Sequence, residues 1–300
     1  MGIKCQSKIS HHLSFITIWY LYALDIQQPH LPDLNSCFPI YFCAIYSQSL
    51  TVGLIMLLFV SLALAFTPYD LGAIENNLKQ VAEYRAHRDL DYYPALPISG
   101  YELAAKTGIS TGILPVTDHN SQLAWGIAIF DIKLERLYNA VNDELQHTGM
   151  TPVDYTRIVK GAPCTNKRQV LMHMPIPLLS NRWWVTTQSN NPALYQRANG
   201  KVAELSWSGI TDITSLDIDA EASKKIEGAV YVSFNKGAWF FIQLDEAHTL
   251  AEYFTWSDPG GSIPTSLKSY AVTFTADSIV DTFSAMEKYA RENEPKCNIF

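Results

Sequence analysis

The chain has 300 residues, 22 Lys+Arg against 29 Asp+Glu and 48% hydrophobic residues, which is length enough for one large core or two modest ones. That composition excludes a disordered chain and a small disulfide scaffold. A net charge of -7 with scattered Lys and Arg excludes the concentrated basic surface that phosphate binding needs, so no nucleic-acid partner is expected.

From the N-terminus, no charged residue occurs between Asp33 and Asp70. Within that gap residues 51–65 (TVGLIMLLFVSLALA) have secretory h-region length and end in the small-x-small triplet Ala63, Leu64, Ala65. This reads as an export signal cleaved before Phe66, which makes the mature protein periplasmic or extracellular. The rival is a retained membrane anchor, because adding Cys37 to Tyr46 takes the uncharged segment past the ~20 residues that span a bilayer. Residues 1–49 show neither helical nor strand period, and the cations upstream of the h-region are the distant Lys4 and Lys8. Translation is therefore expected to start near Leu50 or Val52. Terminal sequencing of native protein checks this, and a peptide from residues 1–49 refutes it.

Without residues 1–65 the balance is 20 Lys+Arg against 27 Asp+Glu, so the acidic charge belongs to residues 66–300. Of five cysteines, Cys164 and Cys297 remain there; they form one disulfide, or Cys297 is free in its terminal tail. No CxxC pair or Cys/His cluster at zinc spacing exists, and no P-loop, dinucleotide fingerprint or HExxH, so neither metal nor cofactor is expected.

Residues 66–300 contain no repeat or linker and read as one domain. Asp70 to Asp89 carries Leu71, Ile74, Leu78, Val81, Ala82 and Tyr84 near helical spacing. Tyr101 to Val116 and Gln122 to Phe130 read as strands, and Lys133 to His147 as an amphipathic helix with Leu134, Leu137, Tyr138, Val141 and Leu145 on one face. A meander follows: Tyr155 to Val159, Gln169 to Met174, Trp183 to Gln188 and Val202 to Ser208, broken by Pro, Asn and Ser. Thr211 to Glu227 reads as an acidic loop. Val230 to Phe234 and Trp239 to Leu244 flank residues 235–238 (NKGA), which read as a hairpin connection, and Leu250 to Trp256 is the last strand.

A helix from about Pro264 to Glu292 ends the chain. Leu267, Tyr270, Ala271 and Phe274 share one face, while Ile279, Val280, Phe283, Met286 and Ala290 share a face roughly opposite at about 100° per residue. One straight helix cannot bury both against one surface, so a break at Thr275 to Ser278 is predicted, with Thr275 or Asp277 capping the second segment. The element order is α+β with one curved antiparallel sheet, and a terminal helix laid across it encloses a space.

Residues 171–185 (LMHMPIPLLSNRWWV) resemble the strand, Pro-rich kink and Arg-aromatic strand of START (StAR-related lipid transfer) domains. Gly237 to Trp239, Thr249 to Tyr253 and residues 258–264 (DPGGSIP), in that order before a terminal helix, resemble the same family's closing hairpin and lid-helix opening. The resemblance covers roughly residues 70–293 and implies the SRPBCC helix-grip fold: a curved antiparallel sheet wrapped around a long C-terminal helix, with an internal hydrophobic cavity. It implies binding, and by extension transfer, of a lipid or other hydrophobic small molecule held in that cavity. Two departures fall at the ligand end: residues 265–269 (TSLKS) replace a stretch that often holds Trp and Asn, and Arg182-Trp183 replaces Arg-Asp.

Arg182 is the first candidate, since the matching arginine commonly faces the cavity; the alternative is an arginine at the strand's solvent end. Trp183 and Trp184 are adjacent in a strand and face opposite sides. Trp184, Trp239, Phe241, Tyr253 and Phe274 are cavity-wall candidates, with plain core as the alternative, and Leu267 and Tyr270 are lid candidates. Gly260 and Gly261 serve the turn before the helix. The sequence from Gly108 to Gly112 matches GxSxG, but the helix that a nucleophile elbow needs does not follow. His119 and Asp118 fall in a polar turn, and His173 is a cavity group or a histidine satisfied elsewhere.

Three functional readings follow. The first is a non-catalytic binding or carrier protein whose partner is a lipid or hydrophobic small molecule, loaded at a membrane surface. The second is an SRPBCC-type cyclase or hydrolase, which needs a cavity pair such as His173 or Tyr253 with a carboxylate. The third is a membrane-surface module without ligand, which predicts a filled interior.

Overall fold

The computed structural model describes residues 68–116 and 122–300. The export signal or anchor, the start site near Leu50 or Val52, cleavage before Phe66, and the Asp118–His119 turn all lie outside the described residues.

Alternation in the central strands explains the layering. In β2 (Gln122–Phe130) the odd side chains Leu123, Trp125, Ile127 and Ile129 enter one hydrophobic cluster, while Ala124, Ala128 and Phe130 enter another on the opposite face. Both faces of this strand are covered, so it reads as a nearly continuous apolar run. Its neighbours are β1 (Ile109–Leu114) and the closing strand β9 (Thr249–Ser257). With β3 (Tyr155–Lys160), β4 (Lys167–Met174), β5 (Arg182–Asn190), β6 (Val202–Gly209) and β8 (Asn235–Gln243), the antiparallel order is β1-β2-β9-β8-β6-β5-β4-β3. A short β7 (Val230–Tyr231) adds in parallel beside β5. The sheet is curved and unclosed, and the expected α+β helix-grip architecture is what the chain adopts.

On the convex face lie α1 (Leu71–Gln80), capped by Asp70 on the Gly72 amide, and α2 (Ile98–Thr107). Two carboxylates buried in the sheet tie this layer down. Glu252 meets Arg85, Arg88 and the Tyr101 hydroxyl, the last at 2.8 Å. Burial alone would raise its pKa, but Arg85 and Arg88 hold it below the usual range. Glu204 accepts from Tyr93, from the Asp89 amide at 3.2 Å and from Asn191 at 2.9 Å. Here burial wins, with the Asp89 charge adding, and the carboxyl is pushed up to about 8.

On the concave face lie α3 (Leu134–Val141) and the terminal helix α6 (Lys268–Glu292), which packs on β1, β2 and α3. Gly126 makes the seat: a Cβ there would stand 2.7 Å from Ile279 and 2.8 Å from Phe283. Cys164 and Cys297 form a disulfide that joins the start of β4 to the tail after α6.

Several expectations are corrected. Tyr101 to Thr107 belongs to a helix, because Pro97 opens it and Gly108, at φ 87°, closes it in the left-handed region; Tyr101, Ala104 and Ala105 are its buried face. The acidic stretch contains α5 (Ala220–Ile226), capped by Asp219 and held by buried Ala222. A further helix, α4 (Pro192–Arg197), starts at an Asn191 cap with Pro192 in its first turn. Residues 235–238 are no hairpin connection. They begin β8, where Gly237 pairs with Thr255 and leaves room for the Trp207 indole; a Cβ would sit 2.1 Å from that ring.

The predicted break in the terminal helix does not occur. Thr275 and Ser278 return their hydroxyl protons to the Ala271 and Phe274 carbonyls at 2.8 and 2.7 Å inside an unbroken helix. Two apolar stripes coexist because Ile279, Phe283, Met286 and Ala290 enter the core, whereas Ala271 and Phe274 border a cavity.

Candidate ligand tunnel

Between the hollow of the sheet and α6 the protein leaves two chambers of about 180 Å³ each. Val153, Trp184, Asn235, Tyr253, Thr255 and Thr282 border both, so the two are adjacent. A ligand in the usual range of roughly 300–1,000 Å³ pockets would occupy both chambers. One end is set by Val141, His147, Trp239 and Met286, the other by Arg182, Ile263 and Phe274.

The walls come from strand alternation. Met172 and Met174 of β4 point inward opposite Trp184 and Arg182 of β5, their register partners. Trp184 borders both chambers, while Trp183 faces out and packs on Tyr231 with ring centroids 4.5 Å apart. Trp239 and Tyr253 meet edge to face at 4.7 Å on the wall. Tyr253 is half-buried on the chamber wall, and desolvation raises its hydroxyl above the ordinary tyrosine range.

Arg182 is 3% exposed and borders the second chamber. Its guanidinium is held by backbone carbonyls: Nε donates to Pro259 at 2.7 Å, Nη2 to Gly260 at 3.3 Å, and Nη1 to Ser180. Desolvation lowers its pKa. The fork therefore clamps the Pro259–Gly261 turn onto β5. Gly260, at φ 63°, fits beneath because a Cβ would stand 3.0 Å from the Tyr231 carbonyl.

Phe274 borders the second chamber, but three other candidates do not reach the tunnel. Phe241 is fully buried beside Tyr138 in the concave core. Leu267 and Tyr270 are half-buried near the start of α6 without contributing wall, Tyr270 lying 6.1 Å from the Phe274 ring. His173 faces the convex side, satisfied by Asp154 at 2.5 Å, which also takes Lys225 at 2.7 Å. His173 thus has its carboxylate, Asp154, but the pair does not border either chamber. Ser110 of the GxSxG match is buried in β1 behind the Gly108 cap, with no elbow.

Wall residues that were not among the sequence candidates include His147, Gln188, Met172, Met174 and Thr282. The methionines were findable, because they alternate with His173 and pair with the Arg182–Trp184 segment. His147 gave no signal, being the last residue of an amphipathic stretch that turns inward only in three dimensions. Burial pushes its imidazole down to about 4, so at neutral pH the ring is uncharged. Glu144, also on the wall, is paired with buried Arg168 at 2.6 and 2.8 Å.

An open sheet gripping its C-terminal helix over a hollow interior defines the helix-grip fold. No protein-family model matches the chain, and no curated protein matches it. A STAR-related lipid transfer protein from Xanthomonas axonopodis is 18% identical and aligns over 62% of this chain and 94% of its own, with a TM-score of 0.48. Human StAR-related lipid transfer protein 5 is 15% identical over 73% of this chain and 97% of its own, with a TM-score of 0.49. The Zhui aromatase/cyclase from Streptomyces sp. R1128 is 12% identical over 57% and 94%, with a TM-score of 0.40. At these identities the likeness concerns fold.

Proposed function

We propose that residues 66–300 are an exported, non-catalytic binding protein that encloses a lipid or other hydrophobic small molecule and passes it between membranes. The observation that carries this reading is the pair of adjoining chambers under α6, walled by Trp184, Trp239, Tyr253, Met172, Met174 and Phe274. Binding would remove the ligand's apolar surface from water at roughly 25 cal/mol per Å². A tunnel also speaks against the ligand-free module, which needs a filled interior. The Cys164–Cys297 disulfide supports export, because such bonds persist in oxidising compartments.

Exchange requires the first half of α6 or the Pro259–Gly261 turn to move. Native mass spectrometry of the purified protein, followed by organic extraction, tests the reading. A stoichiometric hydrophobic mass is expected. A clean apo mass with no uptake from offered lipid mixtures overturns it.

A further inference from the structure

Two buried polar groups on the tunnel wall lack a partner within the protein. His147 is 7% exposed and Gln188 is 6% exposed. Both border the chamber closed by Trp239 and Met286, and neither His147 Nε2 nor Gln188 Oε1 has a hydrogen bond. Buried acceptors are normally paired, so two orphans on one cavity wall point to a ligand that completes them. The imidazole is neutral, and the Ala140 carbonyl engages its other nitrogen. Nε2 is therefore a lone pair awaiting a donor.

Three neighbouring groups are already engaged. Arg168 spends its donors on Glu144, on the Thr165 carbonyl and on Asn142 Oδ1. Asn235 Oδ1 accepts from the Trp207 indole at 2.9 Å, and the Thr282 hydroxyl donates to the Ser278 carbonyl at 2.7 Å. This end of the tunnel holds unmet acceptors and a cation that is fully paired. A carboxylate or phosphate would bring further lone pairs with no charge to meet them, whereas an O–H group would supply what is lacking.

We propose that the His147–Gln188 end of the tunnel selects the neutral, hydroxyl-bearing end of a hydrophobic ligand, with His147 Nε2 and Gln188 Oε1 accepting from it. The inference rests on the tunnel reading above. Each acceptor takes one O–H, so a terminal diol satisfies both and a simple alcohol satisfies one. Acids and ethers of the same chain are discriminated against.

The test uses Nile red, whose fluorescence rises in an apolar site, and its displacement from the full chain by 1-dodecanol, dodecyl methyl ether and dodecanoate at pH 8. The alcohol is expected to displace the dye at about tenfold lower concentration than the ether, the equivalent of one hydrogen bond, with dodecanoate weaker still. Equal alcohol and ether affinities overturn this inference and leave the tunnel reading standing. Absence of Nile red uptake overturns both. In His147→Phe and Gln188→Met the alcohol-to-ether ratio should fall, reaching unity in the double variant. A reduced folded fraction affects alcohol and ether alike and leaves their ratio within one variant unchanged, and a ratio that persists in a double variant that still takes up the dye shows that the two acceptors are wrongly assigned.

Discussion

The two halves of α6 are one unbroken helix in two different environments. From Ile279 onward, Phe283, Met286, Tyr289 and Ala290 are gripped by the sheet and α3, and Gly126 is bare so that the helix can sit close. Before Ile279, Ala271, Phe274, Thr275 and Ser278 face a cavity. Ala271, Thr275 and Ser278 are small and leave the space open, and the hydroxyl protons of Thr275 and Ser278 are turned back onto the helix, so the roof is less polar than its composition. The second half mainly provides stability, with Thr282 and Met286 also bordering a chamber, and the first half provides room.

That contrast can be broken most strongly at Phe283. Phe283→Ala should cost about 3–5 kcal/mol in urea unfolding, the range for a buried aromatic. Removing the disulfide with Cys297→Ser should cost about 2–5 kcal/mol, because Cys164 and Cys297 are separated by 133 residues; comparison of oxidised and reduced melting checks it. Gly126→Ala should cost about 1–3 kcal/mol by pushing on Ile279 and Phe283. Phe274→Ala should change unfolding by less than about 1 kcal/mol while altering dye or lipid exchange. If Phe274→Ala and Phe283→Ala destabilise equally, the division of the helix is wrong.

The convex layer sharpens the same comparison through pH. Glu204 titrates near 8 in the folded protein, above its ordinary range, so the folded state holds a proton that the unfolded chain has released. Its contribution is complete below the unfolded value and is lost as pH rises toward about 8. His147, pushed down to about 4, acts oppositely: its contribution is present above the ordinary histidine value and is lost as pH falls toward about 4. From pH 6.5 to 8 only the Glu204 slope remains of the two. Stability measured by urea titration should decline there, and Glu204→Gln should flatten the decline.

Much of the fold was legible because sheets and helices announce themselves by period. The strand β2 showed as an apolar run, the meander from Tyr155 to Ser208 showed as short strands between breaks, and the Pro259–Gly261 turn carried its glycines. Where reading failed, a local signal had two meanings. Gly108 closes a helix although it also opens a GxSxG match. Residues 235–238 have turn composition, yet Gly237 is there for the Trp207 indole. The candidate site was half legible: Trp184, Trp239, Tyr253, Phe274 and Arg182 border the tunnel, while Phe241, Leu267 and Tyr270 do not.

The sequence by itself determined the α+β order, the inward and outward parity of Trp183 and Trp184, and the two apolar stripes of the last helix, because each is a matter of spacing along one chain. Only the tertiary structure decided that the helix runs unbroken, that Arg182 clamps a turn, and that His147 and Gln188 share one wall. Those outcomes depend on which surfaces meet across more than a hundred residues, and on which polar groups find partners when water is excluded.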